Sequence, residues 1–560
     1  MTTTPLITSW QDVRWDQVEA AVHALQRRIY RAQQRGQRRK VRSLQRLLLR
    51  STSAKLLAVR RVTQDNQGKK TPGVDGIACL DPEQRRLLAQ DLNLGRRARP
   101  VRRVWIPKPG TREQRPLGIP TMSDRAAQAL VKLALEPQWE ARFEPNSYGF
   151  RPGRSCHDAI EAIFNEIRYR PKFVLDADIS KCFDRIDHRA LLDKLDTFPL
   201  LRRTIKGWLK AGVLDGGQLF ATEQGAPQGG VLSPVLANVA LHGLEEVVAA
   251  AFPKTRTIDG KIKRWTPAVI RYADDFVVLH EDLDVVRHSK EVIAGWLRGT
   301  GLELKPSKTS IAHTFQEYEG KVGFDFLGFT VRQFRVGKHH PGSNGSGQPL
   351  GFKTLIKPSK AKVTAHHAQL REMIRQATAA AQKDLIARLN PVIRGWANYF
   401  RNAVSKATFS KLDDRLYSAL RHWARRRHPN KASRWIVRRY WRLPQWDFGT
   451  KEGTLATHAQ TRIVRHVKVQ GGRSPFDGDW PYWASRWGHY PEVNPAVAWM
   501  LQAQGGRCAH CKRRFFPGDD LRERHHKDGD RSNNRRSNIE LLHRHCHDAV
   551  HRQERQAASP

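Results

Sequence analysis

The sequence is poor in cysteine, in long apolar runs and in amino-terminal targeting patterns. Its 560 residues include six cysteines, three of them near the carboxyl terminus at Cys508, Cys511 and Cys546. So few cysteines in so long a chain exclude a disulfide framework and favour a reducing, cytoplasmic setting. The sequence has no apolar run of about 18 residues, which excludes a membrane-spanning helix and argues against a membrane partner. Met1–Pro5 lacks a charged region followed by an apolar core, so neither a secretion signal nor a transit peptide is predicted.

Acidic residues are also scarce relative to basic ones. The chain has 98 Lys and Arg residues against 54 Asp and Glu residues, a net charge of +44. An excess of this size would repel itself without a polyanionic partner, and nucleic acid is the first candidate. The hydrophobic content of 39% suffices for real cores, and the length predicts roughly three to five domains.

The most informative stretch contains a pair of adjacent acids. The segment 268–279 consists of two short apolar runs on either side of Tyr272-Ala273-Asp274-Asp275, which predicts a strand, a tight turn and a second strand. Adjacent carboxylates at a hairpin tip repel each other unless a cation lies between them, and hard oxygen ligands suit Mg²⁺. An isolated corner of this kind is more often an Asx turn that joins two buried strands, and the other segments of the chain favour the metal site.

A second acidic strand precedes this hairpin. Phe173–Ile179 is apolar except for Asp176 and Asp178, whose i, i+2 spacing puts both carboxylates on one face. We expect a helix after Asp184 to bring Phe183 beside the strand end. Acids from this strand and from the hairpin tip would complete a metal site, in which two Mg²⁺ ions about 4 Å apart activate a 3′-hydroxyl and stabilise leaving pyrophosphate.

Two further segments carry candidate nucleotide contacts. The sequence from Arg103 to Pro120 predicts a strand-turn-strand with Lys108 and Arg115, and such paired cations can bind a triphosphate tail. The glycine-rich segment 222–234 allows close backbone approach to a base or sugar, and its Gln228 is a candidate hydrogen-bonding partner for an incoming nucleotide.

In their order and spacing, these segments resemble the fingers and palm of the reverse transcriptases encoded by group II introns, from about Thr71 to Phe329. The resemblance implies that Asp178, Asp274 and Asp275 are the metal-binding triad, with Asp176 structural. It implies that Phe183 excludes a ribose 2′-hydroxyl and so favours deoxynucleotides. It also implies that three residues contact the incoming nucleotide, namely Lys108, Arg115 and Gln228.

The flanking segments fit the same family. Residues 1–70 begin as an amphipathic helix and continue as a dense run of arginines, which we interpret as a phosphate-tracking helical extension. Asn390 is a candidate helix cap with Pro391 at the first helical position. The sequence around it resembles the family's thumb, or maturase domain, which we assign to 336–440. Residues 441–494 are assigned by position to the family's DNA-binding segment.

The last 66 residues predict a separate small unit, 495–560. Cys508, Cys511 and Cys546 together with one histidine have the spacing of a closed structural zinc site. His543 preserves the two-residue spacing, so we prefer it to His545 as the fourth ligand.

The same unit resembles the HNH ββα-metal nucleases. The resemblance implies that His525, His547 and His551 bind one catalytic Mg²⁺ or Mn²⁺, that His526 deprotonates the attacking water, and that Asn538 fixes the loop that orients His526. The alternative is a zinc-stapled DNA-binding knuckle whose histidines lie on its surface.

The sequence therefore predicts a multidomain α+β protein: a right-hand polymerase with an antiparallel sheet in its fingers and palm (71–335), an α-helical thumb, and a small zinc-stapled ββα-metal (HNH) domain. The expected functions are RNA-directed DNA polymerase, maturase and target-DNA endonuclease. The expected partners are group II intron RNA, target DNA and deoxynucleoside triphosphates, in a bacterial nucleoid-associated particle or an organelle. The alternatives are a polymerase-inactive RNA-binding maturase and a reverse transcriptase of another retroelement.

Overall fold

The structure is a computed structural model that describes residues 9–107, 113–258, 260–337, 342–442, 444, 446–487, 495–515, 522–531 and 533–557. Within these ranges the chain is a mixture of helices and mostly antiparallel sheets. None of the described helices combines the length and the apolar character needed to span a membrane.

The amino-terminal part begins with helices and continues with alternating strands and helices. Its elements are α1 (Trp15–Gln34), α2 (Arg38–Arg50), α3 (Thr52–Arg60), α4 (Pro82–Gln90), β1 (Val101–Pro107), β2 (Gln114–Ile119), α5 (Met122–Glu140), α6 (Cys156–Ile167), β3 (Phe173–Asp178), α7 (Cys182–Arg185), α8 (His188–Leu195), α9 (Pro199–Leu209), β4 (Val213–Asp215), β5 (Gln218–Phe220), α10 (Ser233–Leu241) and α11 (Leu244–Ala250).

The remaining part contains the acidic hairpin, a long helical region and a small carboxy-terminal unit. Its elements are β6 (Thr255–Ile258), β7 (Lys261–Arg264), β8 (Ala268–Tyr272), β9 (Asp275–His280), α12 (Leu283–Arg298), β10 (Ser310–His313), β11 (Phe324–Phe326), β12 (Phe329–Arg335), β13 (Phe352–Pro358), α13 (Lys360–Gln376), α14 (Gln382–Phe400), α15 (Lys406–Arg427), α16 (Ser433–Tyr440), β14 (Trp441–Arg442), β15 (Asp447–Thr450), β16 (Gly453–Thr454), α17 (Trp480–Trp487), α18 (Pro495–Ala503), β17 (Arg522–His526), β18 (Ile539–His543) and α19 (Arg544–Ala557).

The central sheet has the order β10-β3-β9-β8 and is antiparallel throughout. Its residues alternate between two hydrophobic cores: Leu175 and Phe276 belong to one, and Val174 and Val277 to the other. Because both faces are covered, the strands read as nearly continuous apolar runs rather than as an alternating pattern. The acids therefore lie at one end of the two central strands of a sheet that is otherwise buried.

The amino-terminal helices share a core with this sheet. Val22, Ile29 and Leu48 are fully buried, and they belong to the same hydrophobic cluster as Leu175. Residues 1–70 thus do not form a free extension in the described part, because the apolar stripe of α1 to α3 packs on α5. The basic residues of these helices mostly remain exposed, including Arg28, Arg31, Arg35, Arg38, Arg39 and Lys40.

The two strands predicted between Arg103 and Pro120 are confirmed, while residues 108–112 between them lie outside the described residues. β1 and β2 pair antiparallel from Arg102 opposite Ile119 to Pro107 opposite Gln114. They continue through β4 and β5 into a four-stranded sheet. A further sheet, β11-β12-β13, leads into the helices of the predicted thumb.

The prediction that Asn390 caps a helix beginning at Pro391 is wrong. α14 begins at Gln382 and continues through Pro391 to Phe400. Pro391 lacks the N–H that would bond the preceding turn, yet the turn stays helical because Leu385 and Leu389 are fully buried in the thumb core. The Asn390 side chain instead donates to the Thr454 carbonyl (3.1 Å) and accepts from the Ala456 N–H (2.7 Å).

The segment after the predicted thumb packs against the amino-terminal part of the chain. Asp158, at the start of α6, is fully buried and lies 3.0 Å from Nε2 of His466. The same carboxylate accepts hydrogen bonds from the Val469 N–H (2.8 Å) and the Arg486 guanidinium (2.5 Å). Residues of 441–487 therefore clamp the body, which sequence periodicity did not indicate.

The carboxy-terminal unit, which we call the C-terminal module (residues 495–557), contains a β17–β18 hairpin followed by α19. The hairpin is antiparallel, with His525 opposite Glu540 and His526 opposite Ile539. Its core is small and includes Met500, Leu501, Phe515, Leu541 and Leu542. The ββ-hairpin and helix agree with the predicted element order.

Candidate functional site

The sheet register brings the predicted acid triad together. Asp178, the last residue of β3, lies directly opposite Asp275, the first residue of β9. Opposite residues in antiparallel strands have Cα atoms about 5 Å apart. Asp274 occupies the β8–β9 turn beside Ala273, whose φ of +59° allows the tight reversal. The strand-end acid and the hairpin-tip acids thus share one small region.

The hairpin tip is held from behind by the segment 146–149. The Tyr148 N–H donates to the Arg271 carbonyl, and the Arg271 N–H donates to the Asn146 carbonyl, both at 2.9 Å. Gly149 packs so closely that a Cβ there would lie 2.3 Å from the Ala273 nitrogen. A side chain at position 149 would therefore displace the tip that carries Asp274.

A buried polar network lies beneath the tip, and sequence reasoning missed it. Arg271 is 2% exposed and donates to Asn238 Oδ1 and to the Ala273 carbonyl, both at 3.1 Å. It also lies 3.9 Å from Glu144, and Asn238 donates to the Gly149 carbonyl at 2.8 Å. The sequence signal that could have revealed this network is Arg271 within the otherwise apolar strand Ala268–Tyr272, because a buried guanidinium requires polar partners.

The electrostatics of the triad favour a bound cation. Burial raises the pKa of Asp275 to about 6, and the charges of Asp274 and Asp178 add to the effect. Burial likewise raises the pKa of Asp274. Asp178 accepts a hydrogen bond from Lys308 Nζ at 2.6 Å. Three converging carboxylates are hard oxygen donors that fit Mg²⁺, and a divalent cation removes the repulsion that raises these pKa values.

Asp176, which the resemblance implied to be structural, lies two residues before Asp178 on the same strand face. Burial raises its pKa to about 7, with further contributions from Asp275 and Asp325. Its strand partners are Val277 and Ser310 rather than the hairpin tip. This position fits a supporting role beside the triad.

A cavity of about 830 Å³ opens over the acids. Its lining includes all three triad acids and three of the four residues predicted at the nucleotide site, namely Arg115, Gln228 and the sugar discriminator Phe183. The volume lies in the range that accommodates a small ligand such as a nucleotide. Lys108, the fourth predicted contact, lies outside the described residues.

Backbone contacts fix Phe183 and Gln228 relative to each other. The Ala226 N–H donates to the Phe183 carbonyl at 2.6 Å, and the Gly225 N–H donates to the Ile186 carbonyl at 2.8 Å. Gly225 has φ +85°, and a Cβ there would lie 2.6 Å from the Asp184 carbonyl oxygen. The glycine-rich loop and α7 can approach this closely only without that side chain.

The C-terminal module contains two groups of potential metal ligands. In the first, ligand atoms of Cys508, Cys511, His543 and Cys546 all lie within 4.8 Å of one another. The Cys511 sulfur is 3.3 Å from Nδ1 of His543, whereas Nδ1 of His545 faces Glu19 at 3.3 Å. The donor set is that of a Cys₃His zinc site, and its geometry favours His543 over His545.

The second group consists of His525, His547 and His551, again within 4.8 Å of one another. The Nε2 atoms of His547 and His551 are 3.1 Å apart, while their Nδ1 atoms lie 3.0 Å from Glu523 and 2.7 Å from Glu554. His525 is buried, and its Nδ1 has no hydrogen-bond partner among the described residues. Such imidazoles, backed by carboxylates, suit a divalent metal.

His526 and Asn538 belong to the same hairpin as His525. Among the described residues, neither of them is hydrogen-bonded to the other. Nε2 of His526 is 3.4 Å from Asn534 Oδ1. Asn538 donates to Asp528 Oδ1 and to the Asn533 carbonyl, each at 2.8 Å. Asn538 thus ties the loop between β17 and β18, and Asn534, which sequence reasoning missed, makes the direct contact with His526.

The predicted thumb carries a basic groove of about 400 Å³ between α13 and α15. Its cationic lining consists of Arg371, Arg375, Arg415 and Arg426, and His367 and His422 also line it. All four arginines are exposed, and Glu372 pairs with Arg375. A groove with this charge is suited to a phosphate backbone.

Three family profiles match the chain. Residues 10–92 match the N-terminal domain of reverse transcriptase, and residues 106–331 match reverse transcriptase (RNA-dependent DNA polymerase). Residues 363–441 match the maturase-specific domain of group II introns. These matched ranges end before the C-terminal module.

Several known proteins are similar to the chain. Protein YkfC of Escherichia coli is 35% identical over 329 residues, covering 51% of this chain and 82% of YkfC. The group II intron-encoded protein LtrA of Lactococcus lactis is 31% identical over 338 residues, covering 49% of this chain and 54% of LtrA. An uncharacterised 91 kDa protein in a Schizosaccharomyces pombe cob intron is 26% identical over 404 residues, covering 61% of this chain and 48% of that protein. The chain therefore spans most of YkfC but about half of the other two.

Proposed function

The chain belongs to the family of reverse transcriptases and maturases encoded by group II introns, and from this premise we propose that it copies its intron RNA into DNA, assists the splicing of that RNA and nicks the DNA target. The observation that carries the polymerase is the register of Asp178 against Asp275 beside Asp274. The C-terminal module carries the nicking activity.

In the polymerase, Asp178, Asp274 and Asp275 would hold two Mg²⁺ ions. When bound, these ions supply activation of the primer 3′-hydroxyl and neutralisation of charge on the leaving pyrophosphate. Arg115 supplies positive charge at the same cavity, and its field lowers the pKa of Asp274 against the larger effect of burial. Gln228 orients the incoming nucleotide from the glycine-rich loop.

Phe183 acts as the sugar discriminator. Its ring lines the cavity beside the acids and packs edge-on against Phe150 at 6.0 Å. A ring held in this way leaves little room for a 2′-hydroxyl. Phe183→Val should therefore raise incorporation of ribonucleotides relative to deoxynucleotides in primer extension on an RNA template. Phe150→Leu, which loosens the packing but keeps the Phe183 ring, is the matched control. Unchanged discrimination in Phe183→Val would contradict the assignment.

RNA binding by the maturase follows from charge. The thumb groove and the exposed arginines of α1 and α2 present cations to a structured polyanion. For binding by such contacts, the logarithm of the binding constant falls linearly with the logarithm of the salt concentration. Replacing Arg371 and Arg415 with Gln should reduce intron affinity and decrease the salt slope by about one per lost phosphate contact. Arg375→Gln, at a site already paired with Glu372, should have a smaller effect. A salt-independent affinity would refute the proposal.

In the nuclease, His525, His547 and His551 would hold one Mg²⁺ or Mn²⁺, and the Cys₃His group would hold zinc. The catalytic ion supplies charge stabilisation at the scissile phosphate. His526 takes the proton from the attacking water, and Asn534 orients its ring while Asn538 ties the supporting loop. The freed 3′-hydroxyl then serves as the polymerase primer.

Nicking of a target-site duplex tests this assignment. His526→Ala should abolish nicking while RNA binding and primer extension persist. His510→Ala, at a histidine of the same module outside both groups, is the control. If His526→Ala nicks normally, the module is better explained as a zinc-stapled DNA-binding knuckle.

A further inference from the structure

The surface of the amino-terminal helices is basic except at one place, where the C-terminal module packs. We call this place the acidic platform; it consists of Asp16 and Glu19 on α1 and Asp65 at the end of the π-helical turn Arg61–Asp65. Each of the three acids faces a basic side chain of the module, as described below. In a chain of net charge +44, acids so placed select a basic partner.

The first contact joins Asp16 to the module through Arg513. This arginine donates to the Asp16 carbonyl at 2.8 Å, and its guanidinium lies 3.3 Å from the Asp16 carboxylate. Nearby, Arg552 of α19 donates to the Gln11 carbonyl at 3.0 Å. The two arginines come from different segments of the module, the loop after Cys511 and α19, so both segments contact the chain around the start of α1.

The second contact joins Glu19 to the zinc-site group. Nδ1 of His545 lies 3.3 Å from Glu19 Oε1, and the two side chains are only 7% and 13% exposed. The His545 ring stacks on His543, with centroids 4.9 Å apart and planes within 9°. Glu19 thus orients a ring that packs against one of the four candidate zinc ligands.

The third contact joins Asp65 to the histidine group. Arg544 lies between two acids, 4.0 Å from Asp65 and 3.3 Å from Glu523. The other oxygen of Glu523 is 3.0 Å from Nδ1 of His547. A carboxylate on the second nitrogen of a ligating histidine fixes its tautomer and ring orientation. Asp65, which also lies 3.5 Å from Arg60, places a buried negative charge beside the arginine that holds that carboxylate.

We propose that the acidic platform is the docking site of the C-terminal module and that its acids act as positioning residues for both metal groups. The inference rests on the proposed metal binding of the module. Its consequence is that nicking and polymerisation share one rigid frame. The nicked strand is then released at a fixed position relative to the palm, rather than from a tethered, freely moving domain.

The test uses the full chain loaded with zinc and compares Glu19→Gln with Asp16→Arg. Loss of a partner that orients metal ligands lowers metal affinity by roughly 10- to 100-fold. Glu19 acts on a ligand only through the His545 ring, so its loss should weaken zinc binding by no more than the lower end of this range. In both variants we expect faster zinc transfer to a chromogenic chelator and faster hydrogen–deuterium exchange in β18 and α19. With Co²⁺ in place of zinc, Glu19→Gln should shift the visible ligand-field bands, which a loss of general stability alone would not do.

Two controls make the test decisive. Asp12→Asn removes an exposed charge from the same segment and should change nothing. The pair Asp16→Arg with Arg513→Asp restores opposite charges and should recover the exchange protection lost in Asp16→Arg, even if Glu19→Gln folds poorly. Recovery supports the platform. Wild-type zinc transfer and exchange in both single variants overturn it. A wild-type chain that holds zinc but nicks no DNA would refute the nuclease alone, because these readouts do not depend on nicking.

Discussion

The palm and the C-terminal module both gather metal ligands, but they do so with different means. In the palm, the triad acids sit at the ends of strands packed between two extensive apolar cores, and Phe276, Val277 and Leu279 are fully buried. In the module, the candidate ligands surround a small core. Among the described residues its buried hydrophobic cluster has eight members, of which Cys508 and Cys546 are themselves candidate ligands. We therefore expect the predicted palm to hold its geometry without a metal and the module to depend on one.

This difference follows from size. A small unit buries too little apolar surface to fix its side chains, and a structural metal commonly makes up the deficit. Apparent zinc-binding free energies on the order of 10 kcal/mol are comparable to the whole stability of a small domain. Metal removal should therefore abolish polymerisation by the palm without unfolding it, but it should unfold the module.

The largest expected effect is on catalysis by the palm. Asp178→Ala should reduce primer extension on RNA by about 10³-fold or more, because members of an interdependent catalytic set fail together. Exchange protection of β3 and β9 should stay near wild type, since the two cores remain intact. The assay is extension of a labelled primer together with hydrogen–deuterium exchange.

Asp325→Asn is the matched control. This exposed acid of β11 accepts a hydrogen bond from Thr330 at 2.5 Å and lies outside the cavity lining. Substantial primer extension by Asp178→Ala would show that Asp178 does not belong to the metal site. Unfolding of the central sheet in the variant would instead show that the palm needs its metal as much as the module does.

The next effect in size concerns the zinc-site group. Cys546→Ser, or removal of zinc by a strong chelator, should abolish exchange protection in β18 and α19 while primer extension continues. The exposed Cys79 provides the control Cys79→Ser, which should retain zinc and protection. A Cys546→Ser module that remains protected would mean that the apolar core suffices, and the contrast between the two regions would disappear.

A smaller effect is expected from Glu523, which orients His547. Glu523→Gln should lower the affinity of the histidine group for Mn²⁺ by about 10-fold and raise the Mn²⁺ concentration needed for nicking. The change should leave zinc in place, because Glu523 does not contact the zinc-site group. Asp548→Asn removes an exposed charge from the same helix and is the control. Equal Mn²⁺ dependence in both variants would contradict the positioning role.

Sequence patterns gave the palm better than its surroundings. The acids could be found because each stands at the end of a short apolar run, and the resemblance to group II intron reverse transcriptases implied that they form one triad. The register that sets Asp178 opposite Asp275 came from the structure. Helical periodicity does not name the partner of a helix, which is why residues 1–70 were taken for an extension. The Asn390–Pro391 pair has the form of a helix start, but burial of the preceding turn prevailed. Contacts such as Glu19 with His545 leave no local signal at all.

A last expected effect identifies a pH-sensitive point in the predicted thumb. In the thumb, Nε2 of His366 lies 2.9 Å from Nε2 of His458, whose Nδ1 is 2.6 Å from Asp413. Burial, with a contribution from the charge of His458, lowers the pKa of His366 to about 3. Since the pKa is depressed on folding, this stabilisation is present above about pH 6.5 and is lost as the pH falls towards 3. At pH 5 the loss is about 2 kcal/mol.

Hydrogen–deuterium exchange in α13 and α14, corrected for intrinsic rates, should therefore accelerate between pH 7.5 and 5 in the wild type. The exposed-site control His422→Gln should behave in the same way. His366→Gln should accelerate much less, because glutamine does not titrate. An equal acceleration in the wild type and both variants would show that His366 is not the group that makes this region sensitive to pH.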